Sequence, residues 1–146
     1  MTIDLDQAIA DRLAANNLRY TEGRQSLVKA IVRASGPQTA EDLHRKLRRK
    51  MSLASLYRSL GQMQEAGVFT ALYNQGRIAR FELADWLTGH HHHLVCDNCG
   101  KIIELDLGRS GEEAIDKVLK AAAKAVGFQE RDHLLEIVGL CSDCTA

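Results

Sequence analysis

The stretch His90-His91-His92-His93-Leu94-Val95-Cys96-Asp97-Asn98-Cys99 holds four of the chain's six histidines and two of its four cysteines. Imidazole and thiolate are preferred ligands of zinc and its neighbours, and a Cys-x-x-Cys turn lets two sulfurs reach one ion. A second such turn, Cys141-Ser142-Asp143-Cys144, follows some forty residues on. A redox dithiol is the bland reading of one pair. Two pairs with no cysteine left over make a complete tetrahedral shell, so Cys96, Cys99, Cys141 and Cys144 read as a structural zinc site. Such an ion pins the last residues of the chain back onto the middle of their own domain.

The histidines need a separate argument. The run is internal and leads straight into a cysteine pair, unlike a purification tag, and a metal-scavenging tract is the other bland reading. Leu94-Val95-Cys96 looks extended, and successive side chains of a strand point to opposite faces. His91 and His93 then share one face and His90 and His92 the other. Two faces offer two metal sites, each still short of ligands.

These ligands must be positioned by a chain of 146 residues, enough for one or two small domains. No apolar run approaches the length of a membrane span. The beginning, Met1-Thr2-Ile3-Asp4-Leu5-Asp6, is acidic and lacks the regions of a signal peptide. A cytoplasmic protein is expected, whose reduced cysteines bind metal rather than form disulfides. The net charge of zero hides an asymmetry. Residues 18–80 carry 12 Lys and Arg against 4 Asp and Glu, while residues 81–146 carry 6 against 12. A basic half suited to a polyanion precedes an acidic half that holds the metal ligands. A solvated charged face is the alternative.

Leu5, Ile9 and Leu13 form one stripe of a first helix, which Asn16-Asn17 ends. Thr21 caps a second helix carrying Leu27, Val28, Ile31 and Val32, and Pro37, the only proline, lies beyond its end. Thr39 and Asp42 form a capping box for a third helix, with Leu43 and Leu47 facing inward. Ser52 caps a fourth, Leu53 to Ala66, closed by Gly67. Leu53, Leu56, Leu60 and Met63 keep its core spacing, while Ser55, Tyr57, Arg58, Ser59 and Gln62 lie on other faces. Val68–Tyr73 and Arg77–Leu83 alternate as strands about a hairpin turn at Asn74-Gln75-Gly76. Helices followed by a hairpin make a winged helix-turn-helix, and the helix from Leu53 is the one that enters a major groove. An ordinary helical domain with a basic face is the alternative.

The expected fold class is α+β: a winged-helix DNA-binding domain over residues 1–84, a hinge over 85–89, and an α/β dimerisation and metal-binding domain over 90–146. In the last, strands near Leu94–Cys96 and Lys101–Leu107 precede a helix from Glu112 to Val126. Its apolar stripe is Ile115, Val118, Leu119 and Ala122, and a strand from His133 to Leu140 follows. Three strands and one helix are a small core, which calls for a zinc clamp and a partner subunit.

Four segments together resemble the ferric uptake regulator family of bacterial metal sensors. They are Thr39-Ala40-Glu41-Asp42-Leu43, Ser52-Leu53-Ala54-Ser55-Leu56-Tyr57-Arg58, Phe81-Glu82-Leu83, and the His/Cys stretch with its late Cys-x-x-Cys. The resemblance implies a homodimer that binds double-stranded operator DNA when loaded with metal and releases it when metal is scarce. It implies structural zinc at the four cysteines. Glu82, His91, His93 and Glu104 fall on a sensing site. His90, His92 and His133 fall on a further site, completed by Asp116, or by Glu112 or Glu113 if Gly108–Gly111 is an insertion. Ser55, Tyr57, Arg58 and Gln62 fall on the DNA-reading helix, with Tyr57 and Arg58 at family positions.

Where iron sensors commonly carry a histidine, this chain has Pro37. Where zinc sensors carry a cysteine after the wing and an acidic ligand at its start, it has Ala84 and Thr70. The run of histidines and the ending Gly-Leu-Cys-Ser-Asp-Cys look most like the zinc branch. Glu104 and Pro37 set the chain apart from the peroxide-sensing branch. The expected function is a repressor controlling metal homeostasis, with zinc uptake genes first and an iron(II) or manganese response as alternative. The regulatory metal is thus zinc or iron(II) beside the structural zinc, and no membrane partner is expected. A zinc hydrolase is the rival from another class, but the His-Glu-x-x-His motif is missing. A metal-storage protein leaves the basic half without a role.

Overall fold

A computed structural model of the protein describes residues 4–73 and 76–145. The chain divides into two compact units, Met1–His90 and His91–Ala146. In the first, α1 (Leu5–Ala15), α2 (Glu22–Val32), β1 (Gln38–Thr39), α3 (Ala40–Leu47) and α4 (Leu53–Glu65) lead into β2 (Phe69–Tyr73), β3 (Ala79–Leu83) and the short α5 (Asp85–Thr88). Each helix start has a local cause. Asp4, Thr21 and Ser52 accept the backbone N–H three residues on, satisfying donors that the helix itself cannot. At α3 the box is reciprocal: Thr39 Oγ1 accepts the Asp42 N–H at 3.0 Å and the Asp42 carboxylate accepts the Thr39 N–H at 3.4 Å.

The four longer helices of this unit bury one stripe each, led by Ile9 and Leu13, Leu27 and Val28, Leu43, and Leu56, Leu60 and Met63. Val68, Phe69, Phe81 and Leu83 close the core from the sheet. Leu53 departs from the expected spacing: at 47% exposure it faces out, and Ser59 is buried instead. Leu53 is the first residue of α4, and burial along that helix starts at Leu56. The wing pairs antiparallel from Phe69↔Leu83 to Tyr73↔Ala79. Arg77 has a φ of +56°, which breaks the extended run and delays β3 to Ala79. The expected turn at Asn74-Gln75-Gly76 lies partly outside the described residues. β1, too short to show a period, adds a third strand through Gln38↔Phe81, so the order is β1-β3-β2.

The second unit contains β4 (His92–Cys96), β5 (Ile102–Leu105), α6 (Gly108–Ala125), β6 (Glu136–Gly139) and α7 (Ser142–Thr145). Its sheet runs β5-β4-β6, with β4 antiparallel to β5 and parallel to β6. A parallel neighbour requires a crossover, which α6 supplies. That helix starts a turn earlier than Glu112, where the Asp106 carboxylate accepts the Gly108 N–H at 2.8 Å. β6 is shorter than expected, starting at Glu136 rather than His133, whose N–H donates to the Asp132 side chain at 2.8 Å. The apolar stripe of α6 is uncovered within its unit: Val118 is 66% exposed, and Ile137 and Val138 of β6 are also open. Among the described residues, no helix is long and apolar enough to cross a membrane.

Candidate metal centres and nucleic-acid face

The four cysteines converge because of strand register. Cys96 ends β4 opposite Gly139 of β6, so Cys141, two residues further, arrives beside it. The Cys141 N–H donates to Cys96 Sγ at 3.4 Å. Gly100, with a φ of +73°, turns the chain after Cys99, and its N–H donates to the Cys96 carbonyl at 2.9 Å. Cys144 is presented by α7, where Asn98 Nδ2 donates to its sulfur at 3.2 Å and Lys101 bridges to Asp143 at 3.2 Å. All four sulfurs lie within 4.8 Å of one another, and none is in a disulfide.

The Cys99 and Cys141 sulfurs are 3.7 Å apart. A disulfide needs about 2.05 Å. Zinc–sulfur bonds of about 2.3 Å give a tetrahedron with edges of roughly 3.8 Å, so the set fits zinc. The thiols are not equivalent. Backbone N–H groups, that of Cys141 foremost and then that of Cys99, bring Cys96 down to about 6. Asn98 favours the Cys144 thiolate, but sulfur contacts with Cys141, Cys99 and Cys96, together with burial, outweigh it and push that thiol up to about 12. Four thiolates this close need a cation among them.

The histidines alternate as the strand period requires. On one face the His91 and His93 rings meet edge to face, 4.9 Å between centroids. Glu104 stands directly across the β4–β5 pair from His93, on the same side of the sheet. It is exposed, and its carboxylate is not among the ligand atoms that converge within 4.8 Å. On the other face His92, 1% exposed, stacks on His133 at 5.2 Å. The carboxylate facing both rings belongs to Glu112: 2.9 Å from His92 Nε2 and 3.9 Å from His133 Nε2. Asp116 lies one helical turn on, where its carboxylate is 3.4 Å from His133 Nδ1 and 3.5 Å from Lys120 Nζ. Because α6 begins at Gly108, Glu112 and Asp116 are four apart on one helix face, and Glu113 is turned away and exposed. His92, Glu112 and His133 thus offer three ligand atoms within 4.8 Å. Two imidazoles and a carboxylate suit zinc, iron(II) or manganese. Glu82 and His90 belong to the first unit: Glu82 pairs with Thr70 in the wing, and His90 Nδ1 lies 3.5 Å from the Asp85 carboxylate.

On α4, Ser55, Tyr57 and Arg58 are exposed on the side away from the core stripe, with Tyr57 at 59% exposure. Side chains so placed can meet phosphates or base edges. Gln62 is only partly exposed, and its carbonyl oxygen accepts from Arg24 Nη2. Nothing in the sequence marks Arg24, because a lone arginine on a polar helix face carries no signal of burial. Trp86, expected as part of the hinge, is tied into the first unit: its indole N–H donates to the Gly67 carbonyl at 2.6 Å, and the Arg12 guanidinium lies 4.3 Å over its ring.

The model of the ferric uptake regulator family matches residues 15–138. The ferric uptake regulation protein of Vibrio vulnificus (strain CMCP6) is 38% identical over 145 residues, spanning 96% of this chain and 89% of that protein. The peroxide operon regulator of Bacillus subtilis (strain 168) is 31% identical over 145 residues, spanning 97% and 94%. The crystal structure of the Vibrio cholerae ferric uptake regulator, described as revealing a rearrangement of its DNA-binding domains, superimposes with a TM-score of 0.73 at 30% identity. It spans 94% of this chain and 100% of that one.

Proposed function

The chain belongs to the ferric uptake regulator family, and from that premise we propose that it is a zinc-responsive repressor of zinc uptake genes. The coarser part comes with the family, whose members are metal-responsive transcription regulators that bind operator DNA as dimers. They are not enzymes, which sets the hydrolase reading aside. The observation that carries the proposal is the union, in one chain, of a winged helix whose α4 exposes Ser55, Tyr57 and Arg58 and a second unit rich in convergent thiolates and imidazoles. The cytoplasm is its proposed compartment.

The proposed division of labour has three parts. Cys96, Cys99, Cys141 and Cys144 hold a structural zinc. His91 and His93 form the core of the regulatory site, with Glu104 beside them and Glu82 as the proposed ligand from the first unit. His92, His133 and Glu112 form the further site, with His90 as an additional ligand. Asp116 keeps the His133 ring oriented through its other nitrogen, as outer-shell carboxylates do. A metal shared by Glu82 and the two histidines would restrict the hinge over residues 85–89 and favour the DNA-competent arrangement. Its effect equals its differential affinity for the two arrangements. Ser55, Tyr57 and Arg58 face the operator.

Iron(II) is the second reading, favoured by the name of the Vibrio vulnificus relative. The test is operator binding at buffered free zinc, iron(II) and manganese(II), with His91→Ala and His92→Ala in parallel. Zinc should drive binding at the lowest free concentration. His91→Ala should abolish the metal response while the thiolate zinc stays, and His92→Ala should lose a different equivalent of metal with a milder effect on DNA. Binding driven by iron(II) below the zinc threshold would replace zinc with iron. Loss of the same metal equivalent from both variants would merge the two sites.

A further inference from the structure

Arg24, on the first turn of α2, is 9% exposed. Buried arginines are almost always paired, yet both partners here are neutral oxygens. Nη1 donates to the Arg19 carbonyl at 2.7 Å and Nη2 to Gln62 Oε1. One planar fork thus ties together the α1–α2 connection, α2 and the third turn of α4. A cavity of about 510 Å³ lies over this contact, lined by Arg19, Lys50, Ser55, Arg58 and Gln62.

A guanidinium can only donate, so the atom of Gln62 that faces it must be the oxygen. A glutamine reads adenine by offering an acceptor and a donor together, and an oxygen held by Arg24 is not free for that pairing. Gln62 also lies far along α4, whereas recognition helices read bases near their N-termini. We propose that Arg24 is a positioning residue for operator recognition. It grips Gln62 and the Arg19 carbonyl, fixing the rotation of α4 so that Ser55, Tyr57 and Arg58 meet base edges, and Gln62 acts through this grip rather than on a base. The inference rests on the reading of α4 as the DNA-recognition helix.

The probe is a duplex selected from a random-sequence library by the metal-loaded wild-type protein. Its affinity is compared with that of a scrambled duplex across a salt series. Losing a hydrogen bond to a charged group should cut the ratio of selected to scrambled affinity about tenfold in Arg24→Met and in Gln62→Leu. The double variant should fall no further, because both break one contact. Gln62→Glu keeps the acceptor and should keep the ratio. The salt slope should be unchanged, whereas losing a phosphate contact lowers it by about one. The proposal is overturned if Gln62→Glu loses the ratio as fully as Gln62→Leu, if the two losses add, or if Arg24→Met lowers the slope. Should Arg24→Met fail to fold, the two Gln62 variants decide alone. If the wild-type protein selects no duplex at saturating metal, the function reading itself fails and this one with it. A selected duplex with any of the overturning results removes only the role of Arg24.

Discussion

Cys96 gives up its proton more readily than an ordinary thiol because the Cys141 backbone N–H points at its sulfur, bringing it to about 6. A group whose folded pKa is depressed contributes stability above its unfolded value, and loses that contribution as pH falls through the folded one. The clamp should therefore weaken as pH drops from the ordinary thiol range through about 6, with protons displacing metal. Zinc released to a colorimetric chelator along a descending pH series measures this. Release independent of pH would mean that the thiolates are not the ligands. Cys96→Ser should lose this zinc and lower the melting temperature of the second unit. A variant with full zinc content and unchanged melting would remove the assignment.

Among the elements, α5 changes the picture of the connector. Asp85–Thr88 is a helical turn, fastened to the first unit by the Trp86 indole on the Gly67 carbonyl and by Arg12 stacked on its ring. The Ala84 N–H donates to the Val68 carbonyl at 3.0 Å just before it. The turn ends at Gly89, whose φ of +92° suits glycine alone. Trp86→Ala should destabilise the first unit by roughly 2 kcal/mol, the sum expected for a lost cation–π contact, a hydrogen bond and partial ring burial. Denaturant unfolding followed by circular dichroism reads the change. A loss within experimental error would show that the strap holds nothing.

Across the molecule, charge and apolar surface are segregated: the basic residues crowd the first unit, and the second leaves Val118 of α6 and Ile137 of β6 open. A helix stripe and a sheet face with no cover inside their own unit suit the dimer that the family forms. Val118→Asp and Ile137→Asp should each shift the protein towards monomer in sedimentation experiments, since burying an unpaired carboxylate costs several kcal/mol. The winged helix should keep its helical signal. Dimers as tight as wild type in both variants would place the interface elsewhere.

The sequence by itself determined the features whose causes lie within a few residues. Thr21, Thr39 and Ser52 announce their helices because a cap acts on the N–H three positions away. The histidine alternation follows from the two-residue strand period, and the paired Cys-x-x-Cys turns follow from ligand chemistry. Tertiary structure decided the rest. Glu112, not Asp116, faces both His92 and His133 because α6 begins at Gly108 and crosses over to a parallel strand, neither of which a local pattern announces. β1 exists only as a partner of β3. Arg24 and Gln62, 38 residues apart, meet because two helices pack. No local period encodes such a contact, since its free energy appears only after the intervening chain has been ordered.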